Sequence, residues 1–148
     1  MARKPLYTAH AHVTGGRQNG HGRTSDGRLE VDLRPPPETG GDGSAGTNPE
    51  QLFAVGYAAC FESALGAAAR RERLTVDDVA IDSQVSLVPT EERTFALAVV
   101  LDVTMPSVTD PAQAIALVEA AHRLCPYSNA TRGNIEMTLT ANGQPVNS

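Results

Sequence analysis

The residues of this chain best suited to redox chemistry are its two cysteines, Cys60 and Cys125. A thiolate is a nucleophile, and two thiols that meet can close a disulfide and be reopened by exchange. Cys60 lies in an apolar stretch whose helical spacing puts it on one face with Phe53, Gly56, Tyr57, Ala64 and Ala67. The glycine and the alanines leave space beside the thiol. A structural cysteine, behaving as a small hydrophobe, would serve there equally well. A reactive role needs a nearby cation to hold the thiolate, and no Lys or Arg of the stretch lies within two turns of Cys60. The cation must come from elsewhere in the fold. Cys125 ends a second helical stretch and precedes Pro126. Helix ends are accessible and mobile, which suits a thiol that must approach another. His122, three residues earlier on the same face, can assist proton transfer or simply cap the helix end.

Two other chemistries are weaker on spacing. His10 and His12 share a face of an extended segment and, with Cys60 and Cys125, would make a zinc set, but no CxxC or HxxxH pattern supports one. The run Gly40-Gly41-Asp42-Gly43 is no phosphate loop, because no Lys-Ser/Thr follows it.

Bulk properties narrow the classes. The 148 residues suit a single domain spanning 1–148. A net charge of −5 argues against a nucleic-acid surface, which needs a basic patch. No apolar run approaches the roughly 20 residues that span a bilayer. The basic pair Arg3-Lys4 has no apolar stretch behind it, so no secretory signal is expected and the protein belongs in the cytoplasm. In that reducing compartment a disulfide is transient and catalytic rather than a permanent staple.

The elements that must position these residues can be read in order. Leu6 to Val13 reads as a strand, and the Gly-rich region Thr14–Gly22 has room for a second. Asp26-Gly27 signals a hairpin, after which Leu29, Val31 and Leu33 alternate with Glu30 and Asp32 as in a half-buried strand. Residues 34–47 form a Pro- and Gly-rich loop. A helix then starts with Asn48 as cap, Pro49 at the first helical position and Gln51 completing a capping box, with Thr47 and Glu50 as an equally legal box. From Leu52 to Ala69 its only charge is Glu62, so it should be buried nearly all round. Val79, Ile81, Val85 and Leu87, then Phe95, Leu97, Val99, Leu101 and Val103, mark two strands. Asp110, Pro111 and Gln113 start a second helix that runs to about Leu124, and Ile135, Met137 and Leu139 mark a last strand. The order predicts an α+β fold with antiparallel sheet and the apolar helix packed against the strands.

Two segments also carry a resemblance. Gly46-Thr47-Asn48-Pro49-Glu50-Gln51-Leu52-Phe53, continued as Gly56-Tyr57-Ala58-Ala59-Cys60-Phe61, resembles the first active-site segment of the organic hydroperoxide resistance proteins of the OsmC-like superfamily. Cys125-Pro126-Tyr127-Ser128-Asn129-Ala130-Thr131-Arg132-Gly133-Asn134 resembles the second and favours this branch over its osmotically inducible relatives. Leu6-Tyr7-Thr8-Ala9 and Thr14-Gly15-Gly16-Arg17 are similar as well, so the likeness covers nearly the whole chain.

The resemblance implies an OsmC-like α+β fold with antiparallel sheets around a central buried helix, in an obligate, intertwined homodimer with its active site at the subunit interface. It makes Cys60 the peroxidatic and Cys125 the resolving cysteine, Arg17 the arginine that supports the thiolate, and Glu50 the carboxylate that orients it. The turn after Arg17, Gln18-Asn19-Gly20-His21-Gly22-Arg23, is longer than the family's commonest version, so Arg23 is a rival for the arginine's part. No metal, haem or flavin takes part; the reductant resembles a lipoyl dithiol, and the substrate is an organic hydroperoxide. Leu52, Phe53 and Phe61 would line an apolar substrate site. Glu50 and Cys60 are too far apart along one straight helix to serve one site, so the resemblance requires a break, as at Gly56, or a second subunit. Two other classes stay open: a non-catalytic stress-response protein, and a zinc-binding domain of the same fold.

Overall fold

The computed structural model describes residues 3–148. The chain forms two compact units, Met1–Leu52 and Phe53–Ser148.

The first unit is built on a three-stranded antiparallel sheet, β1 (Ala11–Thr14), β2 (Gly20–Thr24) and β3 (Glu30–Leu33), in the order β1-β2-β3. The register pairs Val13 with Gly22 and Gly22 with Val31, giving one face of small and apolar residues. The rows Thr14–His21–Asp32 and His12–Arg23–Glu30 make the polar face. The first strand is shorter than the alternation predicts. Pairing ends where the Ser25 amide donates to the His10 carbonyl, and Leu6 and Tyr7, with no strand beside them, are exposed. The β1–β2 turn needs glycine: Gly15 has φ +77°, and a Cβ there would stand 2.2 Å from the Asn19 carbonyl oxygen. Asp26 stabilises the β2–β3 turn by accepting from the Thr24 hydroxyl and the Arg28 amide. The loop beyond β3 holds one 3₁₀ turn, Pro37–Thr39, and returns alongside β3, where the Thr47 amide donates to the Asp32 carbonyl.

Helix α1 (Pro49–Arg71) starts as its residues predict: the Asn48 side chain accepts from the Gln51 amide at 2.9 Å. The Gln51 side chain accepts from the Thr47 hydroxyl, so the box closes on Thr47. The helix continues through Gly56 without a break. Its expected all-round burial is corrected. Tyr57, Phe61, Ala64, Leu65, Ala68 and Ala69 are buried, while Leu52, Val55, Ala59, Glu62 and Ser63 form an exposed stripe at helical spacing. Among the described residues α1 is also the one helix long and apolar enough, by length and composition, to cross a membrane. This corrects the expectation that no apolar run approaches that length: the single charge of the stretch from Leu52 to Ala69, Glu62, does not interrupt it.

The second unit contains a four-stranded sheet in the order β4-β5-β6-β7, from β4 (Ala80–Pro89), β5 (Phe95–Thr104), β6 (Glu136–Ala141) and β7 (Gln144–Val146). β4–β5 and β6–β7 are antiparallel, but β5 and β6 run parallel. This corrects the expectation of a purely antiparallel sheet. The link between β5 and β6 passes through two helices, α2 (Pro111–Leu124) and α3 (Pro126–Thr131), and a helical crossover returns the chain in its original direction. The core joins Tyr57, Phe61 and Leu65 of α1, Val99, Leu101 and Val103 of β5, Leu117 and Val118 of α2, and Leu139 of β6. Each such side chain, fully buried, contributes about 1.5–3 kcal/mol.

Candidate active site

Local sequence explains where Cys125 stands. Asp110 caps α2 by accepting from the Ala112 amide, and the helix runs to Leu124. Pro126 then disfavours helical geometry in the residue before it. Cys125 is accordingly extended, at φ −67° and ψ 123°, and both ends α2 and opens α3. Its amide donates to the Ala121 carbonyl, and its carbonyl accepts from the Asn129 amide. The elbow is therefore fully bonded, and Cys125 is 0% exposed. This corrects the expectation of an accessible thiol at a mobile helix end: the bend turns the side chain inward. Cys60, in the middle of α1, is the half-buried one, and both thiols are free.

The two cysteines are neighbours. Burial pushes the Cys60 thiol up first, and Cys125 beside it pushes it further, because both favour the protonated form. The Tyr127 amide, in the first turn of α3, favours the thiolate and pulls the other way. No cation is among the groups that shift Cys60.

Aromatic rings surround this pair. Tyr127 packs at 5.8 Å from Phe53 and 5.5 Å from Tyr57, measured between ring centroids. The space that Gly56 leaves belongs to Tyr127: a Cβ on Gly56 would stand 2.9 Å from its hydroxyl oxygen. The reading of free space beside the thiol is corrected accordingly. Phe53, Leu97, Pro126, Tyr127, Ala130 and Ile135 line an apolar cavity of about 490 Å³. Of the three predicted lining residues, Phe53 is there. Phe61 is fully buried in the core and cannot touch a ligand, which is a correction, and Leu52 is an exposed residue of the first unit. Tyr127 was missed as a lining residue although it lies in the quoted segment, because only its contacts reveal its place.

Behind the thiols lies a buried polar chain. His122 Nδ1 is 2.9 Å from Ser128 Oγ, which is 2.8 Å from Tyr57 Oη, which is 3.2 Å from Thr131 Oγ1. Burial, and then the charge of Arg132, lower the His122 pKa, so the ring is neutral.

In the first unit, Arg17 sits in the β1–β2 turn and Glu50 in the first turn of α1. Nη1 donates to Glu50 Oε1 at 2.7 Å and Nη2 to Oε2 at 3.4 Å, a two-pronged pair. The bond to Glu50 raises the Arg17 pKa. Arg17 is 44% exposed and Glu50 17%. Arg23 points over the β2–β3 turn at Gly27 and makes no salt bridge among the described residues, so Arg17 is the one of the two that meets Glu50. His10 and His12 border a cleft with His21 and Arg23. Among the described residues no three His, Cys, Asp or Glu side chains are grouped to hold a metal.

A half-buried thiol near a buried one, with an apolar cavity lined in part by the residues that follow Cys125, marks the candidate site. Comparison with known proteins gives the family. Residues 40–140 match the family model described as OsmC-like protein. An organic hydroperoxide resistance protein of Xanthomonas axonopodis pv. citri is 50% identical over 140 residues, 93% of this chain and 95% of that protein. The organic hydroperoxide resistance protein OhrB of Bacillus subtilis is 44% identical, over 90% of this chain and 96% of that protein. Among solved structures, an organic hydroperoxide resistance protein from Legionella pneumophila superposes with a TM-score of 0.85 at 51% identity, covering 92% of this chain and 97% of that one. Another, from Vibrio cholerae with captopril in one of its active sites, gives 0.90 at 40% identity, covering 97% and 96%. The chain has the OsmC-like fold, and it belongs to the organic hydroperoxide resistance family within that superfamily.

Proposed function

We propose that this chain is a cysteine peroxidase that reduces organic hydroperoxides to alcohols. The observation that carries the reading is the unequal exposure of two neighbouring thiols: Cys60 is half-buried and open to solvent, while Cys125 is fully buried. The Cys60 thiolate attacks the terminal oxygen of ROOH. The O–O bond breaks, RO⁻ leaves and takes a proton to become the alcohol, and Cys60 becomes a sulfenic acid. Cys125 attacks that sulfur, an S–S bond forms and water leaves. A dithiol, of lipoyl type, then exchanges with the disulfide, restoring both thiols and becoming a disulfide itself. No metal, haem or flavin enters any step. The apolar cavity beside Tyr127 favours fatty or aromatic hydroperoxides over H₂O₂.

The environment of Cys60 supports a cation brought from elsewhere, since burial and Cys125 both work against the thiolate. Arg17, held by Glu50, is the cation we assign, and it would also hydrogen-bond the developing alkoxide. Glu50 and Cys60 are ten residues apart on an unbroken helix, roughly 15 Å of rise and about 80° of rotation. That separation, and the exposed Leu52–Val55–Ala59 stripe, support a homodimer in which Arg17 and Glu50 of one subunit serve Cys60 of the other. We assign it to the cytoplasm, where such a dithiol cycle can run.

The test is turnover of cumene hydroperoxide against H₂O₂ with a reduced lipoyl dithiol as electron source, with thiols and zinc counted in parallel. Loss of two thiols per chain without bound metal, and faster turnover of the organic peroxide, is the expected result. Retained thiols with bound zinc, or no turnover with either peroxide, would sink the reading.

A further inference from the structure

The chain His122–Ser128–Tyr57–Thr131 is not needed to make or break a bond with peroxide, yet it is nearly sealed from solvent. Tyr57 and Ser128 are 0% exposed, His122 5% and Thr131 6%. Four buried polar side chains are a poor way to fill a core unless their bonds are satisfied and specify a geometry. One consistent set of donors satisfies them. With the His122 proton on Nδ1, His122 donates to Ser128 Oγ, Ser128 to Tyr57 Oη, Tyr57 to Thr131 Oγ1, and Thr131 to the Ser128 carbonyl at 3.4 Å. With that choice, His122 Nε2 is the atom of this chain left without a partner. The Arg132 guanidinium closes the same elbow from outside, donating to the His122 carbonyl and to Asn129 Oδ1.

The elements so joined are those that carry the thiols. Tyr57 stands one turn before Cys60 on α1, His122 one turn before Cys125 on α2, and Ser128 and Thr131 form the inner side of α3. Tyr127, whose amide acts on the Cys60 thiol, is the residue before Ser128. α3 has only six residues, too few to hold a helix by itself, so its placement depends on such ties.

We infer that Tyr57, Ser128 and His122 are positioning residues for disulfide closure: their hydrogen-bond chain clamps the Cys125 elbow against α1 and so sets how fast Cys125 captures the Cys60 sulfenic acid. The inference rests on the peroxidase reading above. A loosened elbow leaves peroxide attack on Cys60 intact but lets the sulfenic acid persist, and a second peroxide then oxidises it to sulfinic acid, with a second alcohol leaving. The clamp is thus a guard against inactivation.

The experiment compares the whole chain with Tyr57→Phe and Ser128→Ala, and with Val103→Ala as a core variant of lowered Tm in β5, outside the hydrogen-bond chain. Stopped-flow thiol loss gives the first oxidation rate, and intact mass gives the ratio of sulfinic acid to disulfide at rising cumene hydroperoxide. We expect Tyr57→Phe and Ser128→Ala to keep the first rate within about twofold and to raise the sulfinic share about fivefold, the effect of losing one buried hydrogen bond. Val103→Ala should leave the share unchanged despite its lower Tm. If both network variants match Val103→Ala, the chain is merely structural and the inference is wrong. If the wild-type protein forms no disulfide with one equivalent of peroxide, the peroxidase reading itself has failed.

Discussion

The two units handle charge in opposite ways. In the second, polar atoms are buried and locked: Cys125 is sealed, Tyr57, Ser128, His122 and Thr131 are sealed in a core, and burial raises Cys60 and lowers His122. In the first, charged groups stand in solvent. Arg17 and Glu50 pair at 44% and 17% exposure, and His21 lies between Asp32 and Glu30 at 3.0 and 2.8 Å on the open face of the sheet. Buried groups in fixed positions suit a step that needs two sulfurs held in register. Exposed ion pairs contribute little to stability, commonly 0–1 kcal/mol, so they can be set and released cheaply. The difference is one of freedom: the buried groups hold one arrangement, whereas the exposed pair can rearrange. In the proposed reaction the second unit supplies the two sulfurs and the first supplies the cation.

The largest expected effects lie on the buried side. Cys60→Ser should abolish hydroperoxide reduction. Cys125→Ser should allow one oxidation per chain and no more, with mass spectrometry finding sulfenic or higher acids on Cys60. Full activity in Cys60→Ser with oxidation on Cys125 would reverse the two parts assigned from their exposure. Next in size is the pairing of subunits. Co-expressed Cys60→Ser and Glu50→Ala chains, each inactive alone, should give heterodimers with one doubly damaged site and one intact site, hence about half the wild-type activity per dimer. Heterodimers that form and stay inactive would mean that each site is built within one chain.

On the exposed side, Arg17→Ala should raise the Cys60 pKa and slow the first step about a hundredfold, as for loss of a charge-stabilising donor. It should change folding stability by less than about 1 kcal/mol. Thiolate absorbance against pH and a denaturant midpoint measure both. An unchanged titration in Arg17→Ala beside a raised one in Arg23→Ala would transfer the part to Arg23.

What the sequence made legible follows the same boundary between local and distant causes. Asn48, Asp110 and the prolines after them are local signals, and both long helices start where those residues point. The Asp26-Gly27 turn and the alternating faces of β3, β4 and β5 are local as well. α3 was missed because six mostly polar residues hold a helix only through Tyr57 and His122, which lie 71 and 6 positions from Ser128. β7 was missed because three residues carry no period, although Asn142-Gly143 before it is a good hairpin pair. The burial of Cys125 and Phe61 and the parallel partner of β5 depend on how elements stack, which spacing does not encode. The meeting of Arg17 with Glu50 had no local signal either; only the resemblance pointed to it.

The finest test of the comparison uses two histidines, one per unit, pushed in opposite directions. His21 is held above the ordinary value of 6.5 by its bond to Asp32 first and Glu30 second. The folded chain therefore keeps this proton to higher pH than the unfolded chain does. The tie across β2 and β3 is fully present below the ordinary value and is lost as pH rises through the raised one. His122 is held below 6.5 by burial first and the Arg132 charge second. Here the unfolded chain takes the proton first. Its contribution is fully present above the ordinary value and declines as pH falls toward the lowered one. The causes also differ in their response to salt. Exposed charges are screened within a few ångströms at an ionic strength on the order of 1 M, whereas burial is not a charge–charge effect. Histidine ring proton resonances followed against pH should show midpoints on either side of the ordinary value. High salt should bring the His21 midpoint most of the way back and leave that of His122 nearly in place. Equal salt sensitivity would mean that the His122 shift comes from Arg132 rather than burial, and the contrast between a sealed unit and an exposed one would lose its electrostatic basis.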